Sequence, residues 1–258
     1  MDFIYNMDLT LWHYLAIAAL GIVASIINIL AGGGSNLILP LLMAFGLPPD
    51  IANGSNRVGI FFQSLAGIRG FRKAGALPTH DLRGILLPMV AGGLAGSVLA
   101  SVLPNEILKP ALLACILGVA TLTFLKPQLL LPPQNAQEKK VAETRGASAL
   151  LFAVGIYGGF VQASTAFLLL PVLAGLLHYN LLRANALKLV CTLAFTVVAL
   201  AVFIARGQIW WDVGLVLAAG NAAGSMIGVK IALKLSPDIL RKILFAMTVV
   251  AVAAAFLK

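Results

Sequence analysis

The sequence predicts an all-α, polytopic membrane protein of two inverted repeats, each with five segments, four long and one short and broken or re-entrant. Three observations predict it. The first is composition: 60% of the 258 residues are hydrophobic, 10% are charged, and mean hydropathy is +1.00. A soluble chain carries about 25% charged residues, because its surface meets water. This surface must therefore meet lipid. The second is a series of ten apolar segments, and the third is an internal repeat that relates the two halves.

The apolar segments run over 11–31, 35–46, 52–68, 84–103, 109–125, 147–163, 166–177, 184–205, 213–229 and 239–257. Asp2 and Asp8 precede the first, where a cleavable leader would be basic, so it reads as a retained span. Segments 35–46 and 166–177 are each about a dozen residues, or roughly 18 Å of helix, against a hydrocarbon core of about 30 Å. They are expected as broken or re-entrant helices. Gly32-Gly33-Gly34-Ser35-Asn36 precedes the first and Gln162-Ala163-Ser164-Thr165 the second. Successive glycines are poor helix interior, and Ser or Thr caps a new helix well. Both short segments carry a proline, Pro40 and Pro171.

An offset of 131 to 132 residues aligns Pro40 with Pro171, Ala52-Asn53 with Ala184-Asn185, and Gly75 with Gly207. It also aligns the Gly92/Gly96 pair with Gly224/Gly228. Such GxxxG pairs allow close helix approach in lipid. The boundaries follow: a first membrane repeat over 1–126, a linker over 127–146 containing Pro132-Pro133, and a second repeat over 147–258.

Five segments per half invert the second half against the first. With both termini outside, the inner loops are 69–83, 126–146, 178–183 and 230–238. They and their flanks then hold 14 of the 18 Lys and Arg, as the positive-inside rule requires. A parallel arrangement of four spans per half is the alternative, and it leaves the short segments half-inserted. Lipid therefore explains the net charge of +9 without a nucleic-acid partner.

The first break is the leading site candidate. A helix beginning in mid-membrane points free N–H groups and its positive dipole end at its occupant, which favours an anion. The donors are Gly33, Gly34, Ser35 and Asn36 from one half, with Ser164 and Thr165 from the other. The bland reading is that the glycines only let helices cross tightly. A second set is Asn53, Asn56 and Arg57 with Asn185 and Lys188. Each cation lies about one turn inside a long apolar helix, where it must snorkel, pair or face water. The asparagines read either as ligands or as interhelical hydrogen bonds. Asn28, Gln63 and Gln162 are weaker lining candidates. Cys115 and Cys191 read as buried hydrophobes, and His13, His80 and His178 are too scattered for a metal set. No cofactor is expected, and no apolar segment carries the Asp or Glu of a proton relay.

At these residues the chain resembles the sulfite exporter TauE/SafE family of membrane permeases. The likeness is carried by Ala31-Gly32-Gly33-Gly34-Ser35, Pro48 to Asn53 and Arg72-Lys73-Ala74-Gly75 in the first half. In the second half it is carried by Gly155-Ile156-Tyr157-Gly158-Gly159-Phe160, Arg183-Ala184-Asn185-Ala186 with Lys188, Gly207, and Gly224 to Gly228. The second break departs from the pattern, lacking the glycine cluster. The resemblance implies a bacterial inner membrane and a small sulfur-bearing anion such as sulfite or an organosulfonate. The reading is a permease working by alternating access, not an enzyme, with lipid and a small anion as its partners. An anion channel is the rival.

Overall fold

The computed structural model describes residues 9–30, 32–125, 137–236 and 239. It is helical, with α1 (Leu11–Leu30), α2 (Ser35–Ala44), α3 (Pro49–Lys73), α4 (Leu82–Val102), α5 (Asn105–Leu125), α6 (Ala147–Phe160), α7 (Thr165–Leu170), α8 (Leu181–Ala205) and α9 (Trp211–Lys234). Segment 239–257 lies outside the described residues beyond Ile239, as do linker positions 127–136. α1, α4, α8 and α9 are long and apolar enough to cross a bilayer. α3 is long but polar. Its Asn53, Ser55, Asn56, Arg57, Gln63 and Ser64 are all buried, while Trp12, Leu87 and Leu215 stand exposed on other helices. Polar residues inside and apolar residues outside is the arrangement lipid selects.

Pro171 does more than kink the second short segment. It has no N–H to give the turn before it, and the helix continues from Pro171 to Leu176 with the wider π spacing. Pro40 is carried inside α2 without such widening.

Each short helix folds back on the long helix before it. The His13 ring near the start of α1 packs edge-on to Phe45 just past α2, with centroids 5.0 Å apart. At the other hairpin the Lys139 amide donates to the Leu177 carbonyl, tying the approach to α6 to the exit of the π-helical turn. The α1/α2 hairpin thus opens at the end where Asp50 N donates to Asn105 and Gln208 Nε2 donates to Asp50 Oδ2. The α6/α7 hairpin opens at the other end, where Glu138 accepts from Arg183 at 2.7 Å and lies 3.2 Å from His80 Nε2. Asp81 there accepts from the Val141 amide. Tyr179 meets His80 at 3.0 Å, and burial first, then the charges of Glu138 and Asp81, push its phenol up to about 12.

Packing is symmetric under exchange of the halves. α1 runs along α9 as α6 runs along α4; α3 meets α9 as α8 meets α4; α3 and α8 meet at the centre. The paired glycines make these contacts possible. A Cβ on Gly92 would stand 2.2 Å from the Phe152 carbonyl oxygen, and one on Gly224 would stand 2.2 Å from that of Ile22. Backbones this close leave no room for any side chain, and dispersion contacts along the seam stand in for a hydrophobic drive that lipid does not supply.

Candidate functional site

The two helix breaks, far apart in sequence, touch. Gly32 has φ +94°, and a Cβ there would lie 2.2 Å from the Ala166 methyl. A Cβ on Gly34 would lie 1.8 Å from the Ala24 carbonyl oxygen. Gly33 faces the Phe167 ring. Ser164 Oγ donates to Asn36 Oδ1 at 2.7 Å, joining the start of α7 to the start of α2. At the second break it is Gln162 and Ser164, with φ of 66° and 63°, that take the left-handed conformation glycine takes at the first. Side chains rarely adopt it, and such positions persist only where the surroundings hold them.

Asn28 organises the first break. Its Oδ1 accepts from the Ser35 amide at 3.3 Å, supplying the start of α2 with a cap, and its Nδ2 donates to Ser35 Oγ at 2.9 Å and Gln63 Oε1 at 3.3 Å. Its own carbonyl, near the end of α1, accepts from Lys188 Nζ at 2.7 Å. Asn185 Oδ1 takes a second Lys188 proton at 2.8 Å. The ammonium thus neutralises the negative end of α1, while the first-turn amides of α2 are taken by Asn28 Oδ1 and by the Gly33 and Gly34 carbonyls.

The same device recurs at α6. Arg57 donates to the carbonyls of Gly158 at 2.6 Å and Gly159 at 2.7 Å, and to Asn53 Oδ1 at 3.3 Å. Asn53 Nδ2 donates to the Phe160 carbonyl. The last turn of α6 is therefore satisfied by α3, and the guanidinium also lies over the Phe203 ring, 5.5 Å from its centroid. Arg57 is fully buried.

A cavity of about 30 Å³ lies between the breaks, lined by Asn28, Ser35, Gln63, Gln162, Thr165 and Lys188, with Gly32, Ile60, Ala166, Leu189 and Thr192 completing it. A water needs roughly 10–15 Å³, so the space is that of a few small groups. Of the residues the sequence nominates, Ser35, Thr165 and Lys188 line it, joined by the weaker candidates Asn28, Gln63 and Gln162. Gly33, Gly34, Asn36 and Ser164 shape the walls from behind. Asn53 and Arg57 are committed to α6, Asn185 supports Lys188, and Asn56 is buried with neither amide atom partnered. Thr192 was missed by the sequence reading. It stands one helical turn after Lys188, and that spacing was a usable signal. Among the described residues no three His, Cys, Asp or Glu side chains gather as a metal set. No carboxylate of the described residues lines the cavity. Among the described residues its character is one cation, amides and hydroxyls, groups that hold an oxyanion.

Comparison with known proteins agrees in kind. The chain is 27% identical to a protein of Haemophilus influenzae named "Probable membrane transporter protein", over 94% of each chain. It is 25% identical to a Sinorhizobium protein of similar name, over 88% of this chain and 86% of that one. An Escherichia coli K12 protein, named as a membrane transporter in the same way, is 24% identical over 88% of this chain and 83% of its own. No solved structure matches significantly. The family profile described as "Sulfite exporter TauE/SafE" matches residues 17–255, and the chain belongs to that family of membrane transporters.

Proposed function

We propose that the protein is a secondary transporter of small sulfur-bearing oxyanions or organosulfonates, binding them in the Lys188 cavity and releasing them by alternating access. The observation that carries this reading is the cavity itself: two helix breaks, one from each half, meet around a buried ammonium, with no carboxylate among the described lining residues. A buried cation next to polar groups and away from acids is arranged for an anionic guest. The family description supports sulfur as the central atom.

The hairpins opening at opposite ends, and the exchange-symmetric packing, support two inverted halves that rock about their shared contact. In this reading the end bearing Glu138, Arg183 and His80 is cytoplasmic, both termini lie outside, and the membrane is the bacterial inner membrane. The lipid bilayer and the anion are the partners, and no cofactor takes part.

The test is sulfite flux into vesicles carrying the purified protein. Lys188→Met removes the charge but keeps much of the stem, and flux falls roughly 30- to 1,000-fold, as for truncating one member of a buried charged pair. Gly33→Leu fills the space before Phe167 and also stops flux. Unchanged flux in both variants would sink the site. Ohmic single-channel currents would replace the transporter with a channel.

A further inference from the structure

Among the buried polar side chains of the lining, Gln162 is left unused by the network above. Asn28 and Gln63 are bonded to each other, Ser35 Oγ accepts from Asn28, and Thr165 Oγ1 donates to the Gln162 carbonyl. Gln162 is 4% exposed and lines the cavity, yet its side-chain Nε2 and Oε1 are both buried without a partner. Its backbone is in the left-handed region at φ 66°. A strained residue holding an unsatisfied amide against a cavity is costly unless a guest completes it.

An amide offers two kinds of partner at once. Its Nε2–H₂ donates to an oxygen, and its Oε1 accepts only from a guest that carries an O–H or N–H. The cavity also counts charge. Lys188 is the one ionic side chain among the described residues of its lining, and a second negative charge on the guest would be buried uncompensated. We infer that the cavity selects monoanions over dianions, and that Gln162 is the specificity residue that favours those bearing an O–H or N–H group beside the charged oxygens. Hydrogen sulfite fits this class, and fully ionised sulfite or sulfate does not. This rests on the transport reading above and names the protonation state that the reading leaves open.

The experiment uses the full chain in lipid vesicles with three probes: total sulfite, methanesulfonate and sulfate. Methanesulfonate keeps one charge and no O–H at every pH used, so it controls for titration of the protein. With sulfite held at constant total concentration, wild-type flux falls as pH rises through sulfite's second ionisation, because the monoanion is lost. Methanesulfonate flux stays level, and sulfate flux stays at background. Gln162→Met lowers the flux of both monoanions, because both lose the Nε2 donor, but lowers hydrogen-sulfite flux about tenfold further, the effect of the one buried acceptor that only a guest with an O–H uses. Retained methanesulfonate flux also shows that the variant folds. Gln162→Asn, which keeps an amide and tolerates the left-handed backbone, recovers part of the preference. Sulfate moving as fast as methanesulfonate overturns the charge selection. Equal loss of both monoanions in Gln162→Met and Gln162→Asn overturns the role of Gln162. No flux of any probe in wild type overturns the transport reading instead.

Discussion

In one corner of the bundle Arg57 on α3 closes the end of α6; in another, Lys188 on α8 closes the end of α1. Each cation serves a helix of the opposite half, and each is braced by an asparagine of its own helix, Asn53 or Asn185. The helices that carry them are each 25 residues long and begin 132 residues apart. In that register Asn53 falls on Asn185, but Arg57 falls on Leu189 and Lys188 falls on Asn56. One residue is about 100° of helix. That rotation sends Lys188 to the cavity wall and Arg57 away from it, under the Phe203 ring. Helix-end closure thus fixes the need for a cation in each corner, while its position on the helix decides whether that cation can also meet a guest.

Substitutions at the two corners separate closure from binding. The largest effect on stability is expected at Arg57→Met. Two α6 carbonyls lose their donors in a fully buried corner, and the thermal unfolding transition in detergent drops by about 3 kcal/mol or more of stability. A drop as small as that of an exposed arginine would show that α6 does not need the clamp. Asn185→Ala comes next. It takes one acceptor from Lys188 and also removes an Nδ2 that has no partner, so stability falls by about 1 kcal/mol. The released ammonium turns toward the cavity, and the anion concentration for half-maximal flux shifts; an unmoved value would mean that Asn185 does not position Lys188. Asn56→Leu is the smallest. Neither amide atom of Asn56 is bonded, so replacement by an apolar group is neutral or stabilising within about 1 kcal/mol in the same unfolding assay. A clear loss there would reveal a partner for Asn56 and would restore the likeness of the two corners.

Much of this was legible in the chain. The helix starts and stops follow apolar run length, and the first break follows from three glycines that helix interiors disfavour. The second break was harder, because Gln162 and Ser164 take left-handed backbone without a glycine's freedom, and only a proline and a Ser-Thr pair marked it. Asn28 was underrated for a different reason. A lone asparagine at the end of an apolar run gives no sign that it caps the next helix, holds Gln63 and receives Lys188 together. Arg57 was read as a cation that must snorkel, pair or face water. It pairs, with the end of α6, a choice that depends on where a helix 101 residues later happens to end.

The sequence by itself determined that the chain lives in lipid and where it breaks, because hydropathy, glycine and proline act locally. Which polar residues face one another was decided only by the tertiary structure. Arg57 and Lys188 look alike in the chain, one residue apart in the shared register of α3 and α8 and each near an asparagine. They differ because packing brings one against a finished helix end and the other against a cavity, and burial gives each charge whichever partner the fold has put within reach.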